Sequence, residues 1–313
     1  MELSYLLARQ IICLFLMMIV GAILVKIDLL KVKDSEILSK LVVYVFSPCV
    51  ILQSFVTATF SKETFSGLLV AIIGSIVCHI IFIALSKLGE KFLHFNNIEK
   101  ASLVYSNAGN LIIPLVAATL GDQWVFYTSA YIIVSTILFW SHGKSVICEE
   151  TSFDMIKVIQ NPNIIAIIIG LFLFATGIKL PYILDNCTSS LGVMIGPASM
   201  MVIGMLIASI SLSDIFKNAR TYFITFGRLC IYPIITILVF RFSGILNFHA
   251  QAADILLVTL LAAAAPCAAS ITQVAQLYHK DSKYSSAINV MSVIFCVITM
   301  PLMVMIYQLL LAI

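Results

Sequence analysis

Apolar residues run along this chain in long unbroken stretches, and the short polar segments between them hold most of its charges. The stretches fall at about 5–25, 38–58, 66–88, 101–120, 124–145, 161–178, 189–209, 219–241, 253–277 and 285–311. Most are near the ~20 residues that carry a helix across the hydrocarbon of a bilayer. None alternates with the period of two that marks a barrel strand, and only helices and closed barrels satisfy their own backbone in lipid. The pattern predicts an all-α membrane protein with ten transmembrane helices.

Composition narrows the partners. Hydrophobic residues make up 61% and charged residues 11%, with mean hydropathy +1.10. A soluble domain carries roughly 25% charged residues, so the bilayer is the solvent and no soluble domain is expected. A net charge of +3, with no basic run among aromatics, excludes nucleic acid. The eight cysteines are scattered, with no C-x-x-C pair and no Cys/His cluster, so they read as small core hydrophobes rather than metal ligands, and no cofactor is expected. Glu2 in place of a basic start, and a first stretch long enough to span, argue against a cleaved signal.

The positive-inside rule orients the spans. Thirteen of the 18 Lys+Arg fall after the odd-numbered spans, among them Lys26, Lys87, Lys157, Arg220 and Lys280, and four fall on the other side. Both termini are expected on the non-cytoplasmic face of the cell (plasma or inner) membrane.

The connection at 146–160 separates a first five-span repeat, 1–145, from a second, 161–313. An odd number of spans per half inverts the second relative to the first. Pro48 and Pro114 are 66 residues apart, Pro197 and Pro266 are 69 apart, and this register aligns span four with span nine. Span four carries Asn107, Gly109, Asn110 and Pro114; span nine carries Pro266 with Cys267, Ser270, Thr272 and Gln273. Proline removes a backbone donor and clashes with the carbonyl four residues earlier, so both helices are expected to break near the midplane. Broken spans at matching places in two halves point to a transporter binding site. Pro48 and Pro197, with fewer polar neighbours, read as packing kinks.

At these residues the chain resembles the auxin efflux carrier family, and within it the bacterial malate permease-like members. The matching pieces are SNAGNLIIPL in span four, NPNIIAIIIG at the start of span six, VIGMLIASISL at the end of span seven, and AAAAPCAASITQVAQLY followed by SSAINVMSVIFCVITMPLMV in spans nine and ten. The resemblance implies a bile-acid sodium symporter-like fold in which spans four and nine cross at their breaks beside the substrate. It also implies a homodimer, in which a transport portion moves like an elevator against a scaffold of spans one, two, six and seven. Asn107 and Asn110 carry over as ligands, Asn110 foremost.

Two crossing half-helix N-termini, each worth about half a positive charge, suit an anion. Asn107, Asn110, Ser270 and Gln273 add donors. Arg228 is the basic residue deepest within a span; it reads either as a second anion contact or as a structural arginine bonded to carbonyls. Gln53, Asn289 and Ser292 are polar at depth, where ligand and interhelical bond are both readings. His79 reads as a proton carrier or a buried neutral ring. No carboxylate falls mid-span, which leaves coupling to a proton, to sodium or to neither open. The expected function is a permease for a small organic anion, a mono- or dicarboxylate such as malate or an auxin-like acid; the alternative is a channel or receptor-like protein without active transport. Motifs for an intramembrane enzyme and for ATP hydrolysis are absent from the sequence.

Overall fold

A computed structural model of the chain describes residues 2–149, 155–208 and 217–311. In chain order the helices are α1 (Glu2–Lys26), α2 (Val32–Thr57), α3 (Lys62–Leu93), the paired segments α4a (Asn97–Val104) and α4b (Ala108–Thr119), and α5 (Gln123–Cys148). There follow α6 (Pro162–Thr176), α7 (Tyr182–Ala208), α8 (Ala219–Phe242), the paired segments α9a (Ala252–Ala263) and α9b (Ala269–Leu277), and α10 (Ser282–Leu311). Among the described residues, seven helices (α1, α2, α3, α5, α7, α8 and α10) are long and apolar enough to cross a membrane, while α4b, α6 and α9a are shorter apolar helices. The chain is therefore an all-α, multi-pass membrane protein. The connection at 146–160 is partly helical: α5 continues to Cys148 and a short helix covers Met155–Ile159, with 150–154 outside the described residues. The end of the VIGMLIASISL motif, 209–212, also lies outside them.

Proline shapes the helices in two ways. In α2, α4b and α8 a π turn immediately precedes a proline: Val42–Phe46 before Pro48, Ala108–Ile112 before Pro114, and Gly227–Ile231 before Pro233. A wider turn draws the preceding carbonyls away from the proline ring and absorbs the missing N–H, so the helix continues. Pro48 thus sits in a helix that runs on past it, while Pro197 lies in the first turn of the segment Ile195–Ala208 that resumes after a turn at Met194. In α9 no helix survives across Ala264–Ala268, which includes Pro266. The shortness of α6 has local causes. Asn161 accepts hydrogen bonds from the N–H groups of Asn163 and Ile164 at 3.0 and 3.4 Å, Pro162 opens the first turn, and Gly177 at φ +68° stops the helix.

Two layers result. One is a panel in which α1 packs along α7, and α2 along α6 and α7. Close approach there depends on glycine: a Cβ at Gly21 would overlap the Met201 backbone, one at Gly204 the Met18 backbone, and one at Gly170 the Phe55 ring. The second layer gathers α3, α4, α5, α8, α9 and α10 around almost fully buried side chains such as Phe82, Tyr131, Phe240 and Ile255. Contacts of α2 with α5, and of α1 with α10 and α4b, join the layers.

Candidate functional site

The two breaks meet. The Asn107 N–H donates to the Pro266 carbonyl at 2.8 Å, and the Ala268 N–H to the Tyr105 carbonyl at 3.0 Å. This is a one-rung antiparallel bridge between Ser106 and Cys267. It satisfies backbone groups that the interrupted helices would otherwise strand in lipid. Helix α10 holds the crossing from behind: Ser292 Oγ accepts the Cys267 N–H at 3.0 Å, and Asn289 Nδ2 donates to the Cys267 carbonyl at 2.7 Å.

A cavity of about 560 Å³ opens beside this crossing, between the panel and the second layer, a size that suits a small ligand. The second layer contributes Ser106 to Asn110, Ala268 to Ser270, Gln273 and Asn289; the panel contributes Ser39, Val42 to Tyr44, Asn163, Ser199 and the end of α7. Neither α4b nor α9b has a side-chain cap at its N-terminus. Both uncapped ends therefore present N–H groups and the positive end of the helix dipole to one space. Asn107 is 9% exposed. Among the described residues its amide, those of Asn110 and Gln273, and the Ser270 hydroxyl make no hydrogen bond to protein.

The sequence-derived residues divide by position. Asn107, Gly109, Asn110, Ser270, Gln273 and Asn289 line the cavity, although the Asn289 amide is already engaged with Cys267. Pro266 and Cys267 form the crossing strand itself and are buried behind the cavity wall. Pro114 and Gln53 line a second cavity of about 300 Å³, between α1, α2, α7 and the far part of α4b. There Gln53 Nε2 donates to Asp185 Oδ1 at 2.8 Å, which ties α2 to α7. Arg228 does not reach the cavity. It is fully buried, with Nη1 donating to the Leu103 carbonyl at 3.0 Å and the guanidinium 5.3 Å from the Phe82 ring centre. His79 is also fully buried. Its Nδ1 lies 2.8 Å from the Ser75 carbonyl, so that nitrogen carries a proton, and the ring packs against Tyr131, 4.8 Å away.

Among the cavity residues that escaped the sequence reading are Lys157, Asn163 and Ser199. Lys157 stands at the rim with its ammonium 5.0 Å from the Trp140 ring centre. Asn163 accepts from Ser47 Oγ at 2.8 Å, and Ser199 bonds back to the Ile195 carbonyl. The signal for Asn163 was present in the NPN triplet that opens span six. Nothing local distinguishes Lys157 from any other loop lysine.

The model of the membrane transport protein family matches residues 6–151 and 145–304, which takes in both broken helices. Comparison with curated proteins finds no match.

Proposed function

The chain belongs to the membrane transport protein family, and from that premise we propose that it is a secondary transporter for a small organic anion, a mono- or dicarboxylate. The observation that carries this reading is the convergence of two uncapped helix N-termini and four unpaired polar side chains, one of them Asn107 at 9% exposure, on a single cavity. Such a place stabilises a carboxylate through fixed dipoles and neutral donors and so replaces the water it leaves behind.

In this reading the seven long helices combine with α4a and α4b, α6, and α9a and α9b to make ten spans in two inverted repeats of five. The pairing of α1 with α7 and of α2 with α6 supports the repeat, because a twofold that exchanges one with six and two with seven turns each contact into the other. The 560 Å³ cavity opens on the side bearing Lys157 and Gln160, the side the charge asymmetry assigns to the cytoplasm. The 300 Å³ cavity faces the opposite half of the same seam. An elevator-like shift of the second layer against the panel would exchange which of the two is open; a homodimer built on the panel, and coupling to a proton or sodium, are parts of the same proposal.

Purified protein in proteoliposomes, given labelled malate, other dicarboxylates and indole acetate under imposed voltage, pH and sodium gradients in turn, tests it. Accumulation of at least one acid is expected, and Asn110→Ala is expected to abolish it in protein that still elutes as a folded species. Uptake of none of these acids, or wild-type uptake by Asn110→Ala, removes the reading.

A further inference from the structure

Arg228 is a buried cation without a carboxylate. It is 0% exposed, and among the described residues no salt bridge reaches it; Nε and Nη2 have no hydrogen-bond partner. Arginine does not shed its proton to escape such a place. Its one bonded nitrogen fixes where the charge sits, since the Leu103 carbonyl that Nη1 contacts belongs to the last turn of α4a, two residues before the crossing strand. Cys267 Sγ takes the neighbouring Ser102 carbonyl at 3.3 Å.

This placement resolves an electrostatic problem that any helix crossing has. Each break exposes a carbonyl end as well as an amide end, and the two dipole ends cancel unless one is neutralised. Here the carbonyl end of α4a is occupied by a guanidinium and a thiol, while the amide ends of α4b and α9b are left open to the cavity. We propose that Arg228 is the fixed counter-charge of the crossing: it neutralises the carbonyl end of α4a and makes the cavity positive, so it selects anions without touching them. It is a positioning and selectivity residue, and the charge it lacks a partner for is supplied by the guest. This deepens the anion reading and, as an account of selectivity, rests on it.

The test measures the potential directly. Ser270→Cys places a thiol on the cavity wall, and its modification rates by sulfonatoethyl (anionic) and trimethylammonioethyl (cationic) methanethiosulfonate are followed by peptide mass spectrometry, which separates it from the native cysteines. The ratio of the two rates cancels the thiolate fraction and reports the local potential. It is expected to fall at least tenfold in Arg228→Gln or Arg228→Met, and to stay near the Ser270→Cys value in Arg228→Lys. Two neutral variants are used because apolar replacement of a buried charge is often tolerated where amide replacement is not. An unchanged ratio in a folded neutral variant overturns the proposal, as does an equal fall in Arg228→Lys, which would mean shape and not charge. Carboxylate uptake with an Arg228-independent ratio removes only this inference. An Arg228-dependent ratio in a protein that takes up no carboxylate removes the transport reading and leaves the potential standing.

Discussion

Glu99 shows how much one residue can do at the rim of this protein. It lies two positions before the apolar stretch that starts at 101 and is 1% exposed. Arg220 grips both of its oxygens, Nε to Oε1 at 2.7 Å and Nη2 to Oε2 at 2.9 Å. The Tyr284 hydroxyl and the Asn96 N–H donate to it as well, at 2.8 and 2.9 Å. Burial works against its ionisation, but the hydrogen bonds from Arg220, Asn96 and Tyr284 outweigh it and hold the carboxyl below its ordinary range. A group lowered on folding contributes stability above its unfolded value and loses it as pH falls through the folded one. The melting temperature in detergent should therefore drop as the solution is acidified through and below the carboxylate range. Glu99→Gln should flatten that part of the profile, and Glu99→Ala should cost about 2 kcal/mol at neutral pH because Arg220 and Tyr284 lose their acceptor. An unaltered acid profile in Glu99→Gln would contradict this. The residue types at the crossing were legible in the sequence: Asn107 and Asn110 stand out because amides are rare in apolar runs. That Asn289 is spent on the Cys267 carbonyl was not legible, because composition does not say which neighbour a side chain finds.

Among the elements, α4 and α9 were readable as broken because proline and small polar residues act through the local backbone. The same logic put the α4 break at Pro114, yet Pro114 sits in continuous helix behind a π turn and the break falls at Tyr105–Asn107, because local chemistry does not say whether a proline breaks a helix or is absorbed. Neighbours decide that. At Pro266 the freed carbonyl receives the Asn107 N–H from another helix, so interruption costs little. At Pro48 and Pro233 the chain keeps its helix by widening one turn. The panel depends on glycine in an equally local way. A methyl at Gly204 would strike the Met18 backbone, which cannot rotate aside as a side chain would. Gly204→Ala is expected to cost roughly 1–3 kcal/mol through overpacking, read as a lowered melting temperature. Retained stability would mean that α1 and α7 slide freely on one another.

At the scale of the whole molecule the two cavities are the testable feature, since they lie on opposite halves of the seam between panel and second layer. Under the proposed mechanism, Gln160→Cys should react with a membrane-impermeant maleimide from the cytoplasmic face, and Gln10→Cys, in the α1 lining of the 300 Å³ cavity, from the other. Saturating transported acid should alter both rates. Labelling of both positions from one face would refute the assigned geometry of the seam.

The order of the apolar stretches, the helical class, the membrane as solvent and the presence of a break in α4 and in α9 were determined by the sequence alone, because hydropathy and small polar or proline residues act through nearest neighbours and through the solvent each residue needs. What only the tertiary structure decided is which of the polar residues share a space. Arg228 and Asn110 are equally conspicuous in the sequence, yet one faces the cavity and the other sits a layer behind it against Leu103. That difference is set by the packing of α8 against α4a, a contact between segments more than a hundred residues apart. A helical register fixes the direction of a side chain relative to its own axis, and the rotation of that axis is chosen by its neighbours.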